Sequence, residues 1–303
     1  TILLVGGTMA ERIAQSGALA ALAHAAHPGR GIRVREIPWS GDEIARRPRE
    51  VNVPGVRDWI LATEADAVIA CFGMSESFAG EAGLEAFAAD TQSFIDMVRQ
   101  ARGASVDITL VSPMLQEDLG APWPTGAAIE ARHRDIAAYA AVLAEAAAAN
   151  GVRYIDLTAG GATAPANAAT PLTVNGIHPG PRGSVVLAGA IASGLGWIDE
   201  AFLDAAMADA AAAAATEVPL IQRIAVDGHH FWRQRYRPTN TEYVWGRRHR
   251  PFGNVNFPAE LEQLERMVAA RDARLAEEAA ALAAAGNLAN PQAALGPLLG
   301  TMI

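Results

Sequence analysis

Five short strand-like segments, spaced by stretches of helical composition, fill the first two thirds of this chain and leave few folds open to it. The segments are Ile2 to Val5, Ile32 to Ile37, Ala67 to Phe72, Val106 to Val111 and Val152 to Leu157. Helical patterning occupies Ala10 to Ala26, Ala82 to Ala101, Ala127 to Ala149 and Ser184 to Gly194. Short strands joined through helices form a parallel sheet, because a parallel crossover needs a dozen or more residues and usually a helix. Such a sheet is covered on both faces, which is why Ile2 to Val5 and Ala67 to Phe72 read as continuous apolar runs, while Ile32 to Ile37 alternates. The pattern predicts an α/β domain over residues 1–197 and leaves Rossmann-like and flavodoxin-like strand orders open.

From Gly196 the pattern changes. Asp199 to Ala215 reads as an alanine-rich helix, and 229–257 is dense in aromatics and arginines. A long helix opens at Phe257, with Pro258 in the first turn, where a missing N–H costs nothing. Leu261, Leu264, Val268, Leu275 and Leu282 follow at helical spacing, and Gly286 is its expected stop. Residues 287–303 read as a loosely ordered arm. Residues 198–303 are thus expected to form a mainly helical C-terminal appendage.

Composition removes several classes of function. A net charge of −9 argues against a general nucleic-acid binder, which needs a basic surface to neutralise phosphates. A lone cysteine, Cys71 in an apolar run, permits no internal disulfide and reads as core. No uninterrupted apolar stretch is long enough for a membrane span. No Cys/His/Asp cluster has metal-ligand spacing, and no glycine-rich loop ends in the lysine of a nucleotide-phosphate cradle, so no metal or cofactor is expected. The sequence opens at Thr1 almost directly on a strand and shows no signal peptide; removal of an upstream segment is left open, and with it the compartment.

Four segments stand where such a sheet delivers loops to the carboxyl ends of its strands, the usual place for chemistry. They are Gly6-Gly7-Thr8-Met9, Ser40-Gly41-Asp42, Gly73-Met74-Ser75-Glu76 and Asn175-Gly176-Ile177-His178. Each alone has a plain reading: Thr8 as a helix cap, two glycine turns, a structural loop histidine. In this order and spacing they resemble the SGNH (GDSL) hydrolases. The likeness covers about two thirds of the chain. It is nearest to a divergent branch whose first block carries Asn-Thr-Leu and whose third carries glutamate after the oxyanion donor.

That resemblance implies a flavodoxin-like three-layer sandwich with a five-stranded parallel sheet, and hydrolysis of a small acyl ester without a cofactor. An acetylated carbohydrate is one such substrate. It implies Thr8 as nucleophile, His178 as general base and Asn175 as the residue orienting the imidazole. Backbone N–H groups of Thr8 and Gly41, with the Ser75 hydroxyl, would form the oxyanion hole. Three positions depart from the family pattern: threonine replaces serine, Ser75 replaces an asparagine amide, and Asn175 replaces an aspartate. In serine proteases, exchanging the triad aspartate for asparagine lowers turnover about 10⁴-fold. Losing one oxyanion donor costs about 10²–10³-fold. Glu11, Asp42 and Glu76 are candidate carboxylates to support His178 in its place. The enzyme reading leads. The alternatives are a catalytically silent protein that binds a ligand in the same cleft, and an assembly role for the appendage.

The aromatic and arginine segment offers Arg237, Tyr243 and Trp245 as residues that could reach over the site to an anionic or sugar ligand. The plainer reading, packing on the α/β domain or a homo-oligomer interface, is placed ahead of it.

Overall fold

The computed structural model describes residues 1–48, 50, 53–159, 171–199 and 218–285. The expected alanine-rich helix beyond Asp199, the stop at Gly286 and the arm that follows lie outside the described residues.

Strands β1 (Ile2–Gly6), β2 (Val34–Glu36), β3 (Ala67–Cys71), β4 (Asp107–Val111) and β5 (Arg153–Ile155) form one parallel sheet in the order β2-β1-β3-β4-β5. This is the flavodoxin-like order, and its switch point lies between β1 and β3. The alternation of side chains along each strand sorts the core into two layers. Leu4, Ile69, Val111 and Ile155 face α1 (Thr8–Ser16), α2 (Ala18–Ala26) and α6 (Pro181–Gly194). Leu3, Val5, Val68, Ala70, Ile108 and Leu110 face α3 (Val56–Ala62), α4 (Leu84–Arg102) and α5 (Ala127–Asn150).

The helix expected from Ala10 to Ala26 is two helices. Gly17 sits in the left-handed region at φ +67° and ends α1 by donating its N–H to the Ala14 carbonyl. A Cβ there would lie 2.7 Å from the Val226 side chain, so glycine also admits the next helix to close range.

That helix, α7 (Leu220–Tyr236), is followed by a single turn α8 (Thr241–Val244) and the long α9 (Phe257–Ala284). The apolar stripe of α7, with Ile221, Ala225, Trp232 and Tyr236, enters the same core as the sheet. Its far half lies along β2. Trp232 donates its indole N–H to the Glu36 carbonyl at 2.9 Å, and the Tyr236 hydroxyl donates to the Pro38 carbonyl at 3.0 Å. His229 meets the Glu36 carboxylate at 3.0 Å, and Arg35 pairs with Asp272 of α9 through both guanidinium nitrogens, at 2.6 and 3.1 Å.

Candidate active site

The strands bring three of the four blocks to the switch point directly. β1 ends at Gly6, and two residues later Thr8 begins α1, so its N–H lies among the free donors of a helix N-terminus. Gly7 is pressed against the second block, where a Cβ would come within 2.8 Å of the Asp42 carbonyl. The second block turns at Gly41 (φ +82°), with the Asp42 N–H donating to the Trp39 carbonyl at 3.0 Å. β3 delivers Gly73 to Glu76 from the other side of β1.

The fourth block is held by a residue that the sequence did not single out. Glu117, buried beyond β4, accepts the N–H groups of Leu172 and Thr173 at 2.9 and 2.8 Å and the Thr173 hydroxyl at 2.6 Å. Its own N–H donates to the Gly176 carbonyl at 2.8 Å, and Thr173 Oγ1 takes the Gly176 N–H at 2.9 Å. The loop closes on itself through Val174 N–H to the His178 carbonyl, 2.9 Å.

The result is one small cleft of about 50 Å³, lined by Thr8, Asp42, Ser75, Glu76 and His178 among others. Met9, Met74, Phe78, Pro113 and Ile177 give it apolar walls. Among the described residues, the hydroxyls of Thr8 and Ser75 make no hydrogen bond. His178 Nδ1 lies 2.9 Å from Asn175 Nδ2, and the Asn175 carbonyl oxygen accepts the His178 N–H at 3.0 Å. Burial first, and then the Arg12 guanidinium on α1, lower the His178 pKa below its ordinary value.

Two of the three carboxylates expected near His178, Glu11 and Glu76, are engaged elsewhere. Glu11 accepts the Ser40 N–H at 2.8 Å, the Ser40 hydroxyl, and Arg237 at 2.6 Å. Burial pushes the Glu11 pKa up, but Ser40 and Arg237 outweigh it and leave the group below its ordinary value. Glu76 accepts the N–H groups of Ile44 and Gly73 at 2.8 and 2.9 Å, and burial raises its pKa. These two staple the second block to α1 and to the third block. Neither hydrogen-bonds to the imidazole; Asn175 does. Asp42 forms a wall of the cleft, whereas Gly41 is exposed and outside the lining.

Arg237, Tyr243 and Trp245 are not brought into the cleft. Arg237 stacks 4.2 Å over Trp39 while pairing with Glu11, so it buttresses the second block from behind. Tyr243 stacks on Phe257 at 6.0 Å, and Trp245 lines a separate hollow with Trp39 and Tyr236. Among the described residues no His/Cys/Asp/Glu cluster is arranged to hold a metal, and no helix is long and apolar enough to cross a membrane.

Residues 6–186 match the GDSL-like lipase/acylhydrolase family. No curated protein matches the chain. An acetylxylan esterase from Geobacillus stearothermophilus is similar in structure, at 17% identity over 66% of this chain and 96% of that one, TM-score 0.47. So is a lipase/acylhydrolase from Enterococcus faecalis, at 16% identity over 63% and 92%, TM-score 0.43.

Proposed function

The chain belongs to the GDSL-like lipase/acylhydrolase family, and from that premise we propose that its cleft hydrolyses a small acyl ester with Thr8 as nucleophile and His178 as proton acceptor. The observation that carries the reading is the convergence of an unengaged Thr8 hydroxyl and His178 on one cleft. Apolar walls and a volume that only a few waters would fill suit an acetyl group. An acetylated carbohydrate is the substrate class that fits a small acyl group on a polar alcohol.

In this reading Thr8 Oγ1 bonds to the acyl carbon as its proton passes to His178 Nε2. The oxyanion is met by the Thr8 N–H at the start of α1 and by the Ser75 hydroxyl. Collapse breaks the ester C–O bond, and the leaving alcohol takes the proton from His178. Water then adds to the acyl-threonine, giving its proton to the same nitrogen. The acid departs and the Thr8 hydroxyl is restored. The threonine methyl narrows χ1 and crowds the approach, so turnover below that of a serine enzyme is expected.

The second reading, a cleft that binds an ester or carbohydrate without turning it over, is favoured by the amide at position 175. Hydrolysis of a short-chain aryl acetate by wild type, Thr8→Ala and His178→Ala separates them. Activity lost in both variants supports the hydrolase. Wild-type turnover no greater than that of the variants, with saturable ligand binding, supports the silent cleft.

A further inference from the structure

The two ends of the Asn175 amide are not interchangeable. Its Oδ1 accepts the backbone N–H of His178 at 3.0 Å and lies 3.4 Å from that of Ile177. Turned end for end, the amide would set its NH₂ group against two N–H donors, so the backbone itself fixes which atom is oxygen. The NH₂ group is then the one that meets the imidazole, with Nδ2 2.9 Å from Nδ1. An amide NH₂ only donates, so Nδ1 must present a lone pair. We infer that Asn175 holds neutral His178 in the Nε2–H tautomer, so that the resting ring offers the cleft a hydrogen-bond donor where a hydrolase needs a base.

An aspartate at this position would accept a hydrogen bond from Nδ1–H and leave the Nε2 lone pair facing the nucleophile. In this resting tautomer Thr8 can accept a hydrogen bond from the ring and cannot hand its proton over until the ring changes tautomer. The competent tautomer must give up the Asn175 bond, and the imidazolium formed in the reaction would set Nδ1–H against another donor. Among the described residues, Asn175 is the side chain hydrogen-bonded to the ring. Glu11 and Glu76 are spent on Ser40, Arg237, Ile44 and Gly73, and Arg12 contributes positive charge. Asp42 also lines the cleft and takes no part in the Asn175–His178 bond. The tautomer stands on the hydrogen bonds alone; its effect on turnover rests on the ester-hydrolase reading.

Long-range ¹H–¹⁵N spectra of the labelled full chain above the His178 pKa test the tautomer directly. His178 is assigned among the seven histidines by comparison with His178→Ala. The expected spectrum shows a protonated Nε2 and an unprotonated Nδ1; the reverse overturns the inference. Asn175→Asp should move the proton to Nδ1, raise the His178 pKa and raise aryl acetate turnover by about 10²–10⁴-fold. Thr8→Ala in that background should remove the gain. A variant ring still protonated on Nε2 overturns Asn175 as the cause. A switched ring with no gain in turnover supports the tautomer and overturns the hydrolase reading instead.

Discussion

Glu117 accepts three hydrogen bonds from a single stretch of the histidine loop, and two of those donors are backbone N–H groups. Hydrogen bonds to a charged group contribute about 1.5–3 kcal/mol each, and a buried donor left bare costs about 1–3 kcal/mol. Glu117→Ala is therefore expected to lower unfolding free energy by at least about 3 kcal/mol in urea titrations, and to lower turnover as His178 loses its place. Arg12 gives a gentler test. Arg12→Gln should raise the His178 pKa part of the way to its free value, because burial remains, and the acidic limb of the pH–rate profile should shift upward with it. The residues of the cleft were legible because glycine, hydroxyl and imidazole side chains stood at strand ends in a fixed order. Glu117 was not, being one of two adjacent acids in a loop, with partners some fifty-five residues away. Glu11 and Glu76 were legible as carboxylates near the site. Their direction was not, because neighbouring backbone N–H groups, invisible in sequence, compete for them.

At the scale of elements, the strands declared themselves through β-rich apolar runs, and the carboxyl-edge position of the blocks followed from parallel connectivity. The break at Gly17 was hidden because an alanine-rich segment stays helical on either side of it. The stripe of α7 was written at helical spacing, at Ile221, Ala225, Trp232 and Tyr236, but arginines and histidines between those positions obscured it. Trp232 sits at its centre, buried against Trp59 at 5.5 Å with its N–H on Glu36. Trp232→Ala should cost about 3–5 kcal/mol in equilibrium unfolding, as large-to-small core changes do. Loss of that order while Thr8→Ala leaves stability within about 1 kcal/mol would separate the packing role of α7 from the role of the cleft.

For the molecule as a whole, the buried histidine between α2 and the C-terminal helices sets an acid limit. His24 is 1% exposed, and burial holds its pKa down to about 4. In the unfolded chain it titrates near 6.5. Between those values the unfolded state carries the extra proton, so stability falls as pH drops from about 6.5 to about 4 and falls no further below it on this account. The loss is on the order of 3 kcal/mol. Urea midpoints at pH 7.5, 5.5 and 4.5 should decline for wild type and flatten in His24→Gln.

The α7 helix lies where another molecule's strand would otherwise dock. β2 is an outer strand only three residues long, and its far side would present bare amides and carbonyls to any extended peptide nearby. Trp232, His229 and Tyr236 occupy that margin. A chain shortened to end before residue 218 would keep every block of the cleft and lose its insulation, leaving copies free to zip together edge to edge. Self-association of that shortened chain is thus expected to rise through the loss of a helix that lines no part of the cleft.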